Sequence, residues 1–181
     1  MPRVVVLADT HLPRRARDLP EQLWAALDAL GPDDLAIHAG DWVSEAALDA
    51  LLDRLAPAHV QLLACWGNND GPELRARLPE VARAVVAGVR VAVVHETGPA
   101  TRRDARTAAS YDHDTDLLIF GHSHIPWDST AQLPDGRELR LLNPGSPTDR
   151  RRQPDASFLT LTLADGEIRD VVLHRLPRRG P

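Results

Sequence analysis

The chain has 181 residues, 43% of them apolar, and carries a net charge of −5. That size suits one domain with a sizeable core, and the acidic balance argues against a broad basic face for duplex DNA while leaving room for a small phosphate-bearing substrate. Its one cysteine, Cys65, excludes an intrachain disulfide and fits a reducing cytoplasm, and the apolar run at residues 4–8 is too short for a signal peptide or a membrane span.

In chain order, residues 3–8 form a near-continuous apolar run that predicts a central strand covered on both faces, ending at Asp9-Thr10-His11. A polar loop with Arg14, Arg15 and Arg17 leads to a helix over 19–30. Pro20 sits near its start, Leu23, Trp24, Leu27 and Leu30 have helical spacing, and Gly31-Pro32 is the stop. Residues 35–39 predict a second buried strand, which runs into Gly40-Asp41. Ser44 has the side chain of an N-cap for a helix over 46–55, ended by Pro57. A third strand over 60–65 runs into Gly67-Asn68-Asn69-Asp70, and Pro72 opens a short helix through 78. This alternation of strand and helix implies a parallel sheet.

The second half reads as mostly strands. Residues 81–87 and 89–94 predict a hairpin about Gly88, with His95 at its end. A polar, Ala-rich helix over 101–111 precedes a short buried strand at 117–120, which runs into Gly121-His122-Ser123-His124. Strands at 127–132, 138–142, 157–163 and 168–174 follow, with Pro134-Asp135-Gly136 and Asp165-Gly166 as hairpin turns. No linker, repeat or low-complexity tract intervenes, so residues 1–181 read as a single domain with a frayed tail at 177–181.

Five apolar runs thus end in residues able to bind a metal. In an open α/β sheet, ligands bind at the carboxyl ends of strands, and Asp9, His11, Asp41, Asn68, His95, His122 and His124 all fall there. Singly, each has an ordinary explanation: a capping carboxylate, a turn amide, a buried neutral imidazole. Together they make an oxygen- and nitrogen-donor set without thiolate, which suits Mn²⁺, Fe or Zn²⁺ better than Ca²⁺ or a structural zinc. Seven ligands suit two ions, one carboxylate then bridging, as in the clamps used for phosphoryl-ester hydrolysis. His38 lies inside a strand and reads as core or as support behind the ligands. His59, His113 and His174 read as loop or tail residues. Asp70 either orients its neighbours or begins a helix, and Arg150-Arg151-Arg152 is either a solvated run or a source of phosphate contacts.

The ordered motifs Asp9-Thr10-His11, Gly40-Asp41, Gly67-Asn68-Asn69-Asp70, His95, Gly121-His122-Ser123-His124 and Asn143-Pro144-Gly145-Ser146 resemble those of the calcineurin-like metallophosphoesterase superfamily, and in particular its small single-domain bacterial and archaeal phosphodiesterases. The resemblance implies an α/β fold, a four-layer α-β-β-α sandwich of two mixed sheets. It implies one ion held by Asp9, His11, Asp41 and His124 and another by Asp41, Asn68, His95 and His122. One departure is Asn69, where many members carry a histidine thought to bind substrate or protonate the leaving group. An amide can donate a hydrogen bond to a phosphate oxygen but cannot supply that proton.

The expectation is a cytoplasmic, dinuclear metal-dependent phosphoesterase, Mn²⁺ being the first choice of metal. A water activated by the ions attacks a small phosphodiester, or a phosphomonoester, in an open site in which Asn69 contacts the substrate. Neither duplex nucleic acid nor a membrane is an expected partner. Two alternatives stay open: a protein-binding scaffold of the kind some relatives form in membrane-coat assemblies, with weak or no catalysis, and a nuclease.

Overall fold

The computed structural model describes residues 1–111 and 114–176. His113 and the tail at 177–181, read above as loop and frayed end, lie outside the described residues.

Two five-stranded sheets pack face to face. The first takes β1 (Arg3–Leu7), β2 (Leu35–Ala39) and β3 (Gln61–Cys65), with β9 (Ala156–Ala164) and β10 (Glu167–Leu176), in the order β10-β9-β1-β2-β3. The second takes β4 (Val81–Val86), β5 (Val89–Val94), β6 (Leu117–Phe120), β7 (Trp127–Gln132) and β8 (Glu138–Asn143), in the order β4-β5-β6-β8-β7. Val4, Val6, Ile37, Val91, Val93, Ile119, Leu159 and Leu161 fill the space between them. Helices α1 (Glu21–Asp28), α2 (Glu45–Leu55) and α3 (Pro72–Arg77) cover the outer face of the first sheet through Leu23, Leu27, Leu48, Leu51, Leu55 and Leu74, and α4 (Arg103–Tyr111) covers the second through Ala108. The α-β-β-α layering follows from strands such as β1 and β6, which are apolar on both faces and must be covered on both. Each fully buried leucine contributes about 1.5–3 kcal/mol relative to an exposed one.

The helices start and stop where the local chemistry dictates. The Ser44 hydroxyl accepts from the Ala47 N–H and satisfies one orphan donor at the start of α2. Pro57 falls in a 3₁₀ turn (Ala56–Ala58) that ends the same helix.

The second sheet is mixed, as the resemblance implies. β5, β6 and β8 run parallel to one another, and only β4 and β7 at the edges are antiparallel. The β9–β10 hairpin joins the first sheet, where β9 lies antiparallel along the open side of β1. β9 can occupy that inner position because Phe158, Leu159, Leu161 and Leu163 are all buried. His174 is accordingly not a tail residue: it lies in β10, stacked on Phe158, with Nε2 2.8 Å from the Thr160 hydroxyl. Among the described residues, no helix is long and apolar enough to cross a membrane.

The carboxyl ends of β1, β2 and β3 and those of β5 and β6 meet at one rim of the sandwich. Cross-links there are short: the Asp9 N–H donates to Gly40 O, the Gly121 N–H donates to His95 O, and His95 Nδ1 reaches Ala39 O in the opposite sheet at 2.8 Å.

Candidate metal centre and active site

All seven candidate ligands converge on this rim. His124 Nε2 lies 3.2 Å from His11 Nε2 and 3.4 Å from Asp9 Oδ1. Asp41 stands between two groups: its Oδ2 is 3.4 Å from His11 Nε2 and its Oδ1 is 3.4 Å from His95 Nε2. Asn68 Oδ1 lies 2.9 Å from both His95 Nε2 and His122 Nδ1. Asp9, Asp41, His11, His95 and His124 are buried, whereas Asn68 and His122 are exposed, so the cluster opens to solvent on one side.

The backbone is bent to make this possible. Asp9, His11, Asp41, His122 and His124 all have positive φ, between 46° and 67°. Each such residue costs on the order of 1 kcal/mol, and strain of this kind collects where a site requires it. Two glycines allow the close approach. A Cβ on Gly67 would lie 2.3 Å from the Asp41 backbone nitrogen, and one on Gly121 would lie 2.7 Å from Ala39 O and 3.0 Å from Asp9 Oδ2.

The surrounding residues hold the candidates in place. Asp70 accepts hydrogen bonds from the N–H groups of Asp41, Val43 and Gly67, so it orients the second and third motifs. Asn143 donates to Gly121 O and accepts from the Gly145 N–H, while Ser146 donates to Asp9 O at 2.8 Å. The Asn143–Ser146 stretch therefore ties the first motif to the last. His38 is fully buried, stacked on Trp42 with ring centroids 3.5 Å apart, and its Nε2 is 3.1 Å from the Thr10 hydroxyl, which bears out the core assignment.

Asn69 is turned differently from the expectation. Its backbone N–H donates to Asp41 Oδ1 at 2.8 Å and its side-chain amide donates to Asp41 Oδ2 at 2.6 Å. Both donors address the carboxylate, since the sharp turn after Gly67 folds Asn69 back over Asp41. Residues that sequence reasoning missed include Glu96, with Oε1 3.5 Å from His122 Nδ1, and Asp149, whose carbonyl accepts from His124 Nδ1. Glu96 directly follows His95, but an exposed acid in that position carries no distinctive sequence signal.

The electrostatics fit a cation. Asp9 Oδ2 is buried without a hydrogen-bond partner, an expensive arrangement for a carboxylate oxygen unless a positive charge meets it. Burial pushes the Asp9 carboxyl up to about 8. Burial acts the same way on Asp41, but the hydrogen bond and charge of His95 and the two Asn69 donors outweigh it, holding that carboxyl well below the usual range. Burial disfavours charge on His95 too, yet Asp41 and the Asp9 charge raise it to about 8. Its Nδ1–H is committed to Ala39 O, so the proton it gains sits on Nε2, facing Asp41 and Asn68 where a ligand lone pair is needed. Burial takes His124 down to about 4 and lowers His11, leaving both as neutral imidazoles.

These shifts predict how the metal-free protein responds to pH. Asp9 and His95 both hold protons more tightly folded than unfolded, so their contribution to stability falls as pH rises from 6.5 to about 8. The histidines with lowered values act below 6.5 and do not offset this. Metal-free protein is therefore expected to melt at a lower temperature at pH 8 than at pH 6.5, and added Mn²⁺ should widen its stabilisation over the same interval. Thermal melts with EDTA or Mn²⁺ at the two pH values test this, and a metal-free melting point that holds steady or rises would contradict it.

Residues 3–166 match the calcineurin-like phosphoesterase superfamily domain. A probable metallophosphoesterase of Methanocaldococcus jannaschii is 33% identical over 162 residues, which cover 88% of this chain and 75% of that protein. A Thermotoga maritima protein solved by solution NMR superposes with a TM-score of 0.71 at 27% identity, covering 97% of this chain and all of that one. Vps29 of Chaetomium thermophilum superposes with a TM-score of 0.69 at 16% identity over 97% of each chain, a likeness of fold. The chain belongs to the calcineurin-like phosphoesterase superfamily and is a metal-dependent phosphoesterase by its relatives and its clustered ligand residues.

Proposed function

We propose that the protein is a dinuclear phosphodiesterase. Asp9, His11, Asp41 and His124 would hold one divalent ion, and Asp41, Asn68, His95 and His122 the other, with Asp41 shared. The observation that carries the reading is the convergence of the seven donors on one rim, in overlapping groups, with Asp9 Oδ2 buried there and unpartnered. Mn²⁺ suits the mixed imidazole and oxygen donors. Two such ions, when bound, activate a water for attack and neutralise charge on the phosphate oxygens.

The chain's own residues supply the rest. Ala39 O and Asp149 O fix the tautomers of His95 and His124, so that each presents Nε2 to the centre. Asp70 and Asn69 hold Asp41 from its backbone and from its carboxylate. The exposed His122 and Asn68 leave one side open for a phosphate ester. The single buried, unpaired Cys65 suits a cytoplasmic setting. A scaffold would be free to lose ligands, and none of the seven is lost, which favours the enzyme.

The test is hydrolysis of bis-p-nitrophenyl phosphate. Protein stripped with EDTA should be inactive, and Mn²⁺ should restore turnover as two ions bind per chain. Single-stranded DNA serves as a parallel substrate for the nuclease reading. Full Mn²⁺ loading without hydrolysis of the diester would remove the phosphodiesterase assignment.

A further inference from the structure

A groove of about 490 Å³ opens directly beside the metal centre. His122 and Ser123 belong to its wall, and His122 also meets Asn68 in the centre, so the two spaces are continuous. The remaining wall presents an aromatic and an aliphatic side chain. Trp127 lines it as a rigid plate: its indole N–H donates to Ser129 Oγ at 2.7 Å, and Ser129 donates to Asp104 Oδ1 at 2.8 Å. Ile125 contributes an apolar side chain that is 47% exposed.

The charge of the groove is also unusual. Arg103 lines it while only 6% exposed, with its guanidinium 4.6 Å from the Trp127 ring centre and 4.8 Å from that of Phe120. Its Nε is buried without a hydrogen-bond partner, and Nη2 reaches Gly98 O at only 3.4 Å. Arg151, exposed and also lining the groove, donates through Nη1 to His122 O at 3.3 Å. Of the Arg150-Arg151-Arg152 run it is the member that lines this groove, while Arg150 is turned to Gln153 O. Two guanidinium groups thus flank the groove against one carboxylate, Glu96, which favours an anion with an aromatic substituent.

We infer that this groove is the subsite for one ester arm of the substrate, and that the arm is a flat aromatic group, with Arg151 at the phosphate end and Trp127 and Ile125 against the ring. This rests on the phosphodiesterase reading and narrows its substrate class. An aryl alcohol and a nucleoside share that chemistry, and the substrates below separate them.

Two measurements test it. The first is calorimetric titration of the Mn²⁺-loaded protein with phenylphosphonate and with methylphosphonate, neither of which has an ester to cleave. Wild type should bind the phenyl compound about 10-fold more tightly, in line with the usual worth of one aromatic stacking contact. Trp127→Ala and Ile125→Ser should each bring the two affinities within about twofold, whereas Trp127→Phe should keep most of the preference. Val85→Ser, at a 70% exposed position on β4, is the control and should leave the preference intact. The second measurement compares kcat/KM for the methyl, phenyl and thymidine 5′ p-nitrophenyl phosphodiesters. Preference for either aromatic arm over methyl supports the subsite and names its source. Equal affinities and equal rates in wild type, or a preference that survives both substitutions, overturns it. Hydrolysis without any arm preference removes the subsite and leaves the phosphodiesterase reading standing, while a phenylphosphonate preference without hydrolysis does the reverse.

Discussion

Asp41→Asn is expected to release most of the bound metal and to lower turnover by far more than the roughly 10–100-fold that follows loss of a residue behind a ligand. The reason lies in where the carboxylate stands. Its two oxygens are each 3.4 Å from an imidazole nitrogen, His11 on one side and His95 on the other, so it addresses both halves of the donor set. An asparagine keeps the shape but removes the charge and replaces one acceptor by an NH₂ group. That group would face the Asn69 amide, which now donates to Asp41 Oδ2 at 2.6 Å, so two donors would oppose each other. His95 would also lose the neighbour that raises it to about 8. Metal content per chain and turnover of bis-p-nitrophenyl phosphate are the measurements. Two ions retained with near-normal turnover would end the bridging assignment. His38→Gln is the companion: His38 stacks on Trp42 and contacts Thr10, so its loss should cost stability while leaving metal content intact.

The second large effect concerns the leaving group. General acid catalysis contributes roughly 10²–10⁴-fold when a departing oxygen needs a proton. Asn69 has no proton to give at neutral pH, and its amide is already engaged with Asp41. The wild-type rate should therefore fall steeply as the pKa of the leaving alcohol rises, with aryl esters cleaved much faster than alkyl esters. Asn69→His should flatten that slope, chiefly by raising the alkyl rates, and should add an acidic group to the pH profile of kcat. The same change removes a donor from Asp41, so metal affinity should weaken, and the comparison belongs at saturating Mn²⁺. A series of substituted phenyl and alkyl diesters assayed on both proteins decides the matter. One shallow slope shared by both would show that another group protonates the leaving alcohol, leaving Asn69 as a residue that positions Asp41.

Much of this site was readable in the chain itself because of one physical regularity. A strand buried on both faces must be apolar along its length, so the first polar residues after it stand out, and they lie at the sheet's carboxyl edge. Asp9, Asp41, Asn68, His95 and His122 stand out in that way. The helices were readable for a similar reason: Leu23 and Leu27, or Leu48, Leu51 and Leu55, repeat at the period that lines one face. Asp70 admits two readings in the sequence because one carboxylate beside a glycine turn gives no hint of how many N–H groups will reach it. Three do.

By itself, then, the sequence determined the strands, the covering helices and the order in which ligand-bearing ends appear, since each depends on local periodicity and on what a buried backbone can carry. The tertiary structure alone decided where those ends meet and what surrounds them. The segment between β8 and β9 crosses from the second sheet to the first, because β9 buries Phe158, Leu159, Leu161 and Leu163 beside β1 instead of extending the sheet it has just left. That crossing carries Ser146 to Asp9, Asp149 to His124 and Arg151 to His122. Pairing between strands far apart in the chain depends on which open edge best buries both partners. No local pattern around Arg151 records that choice, and so its approach to the metal centre became visible only in the folded chain.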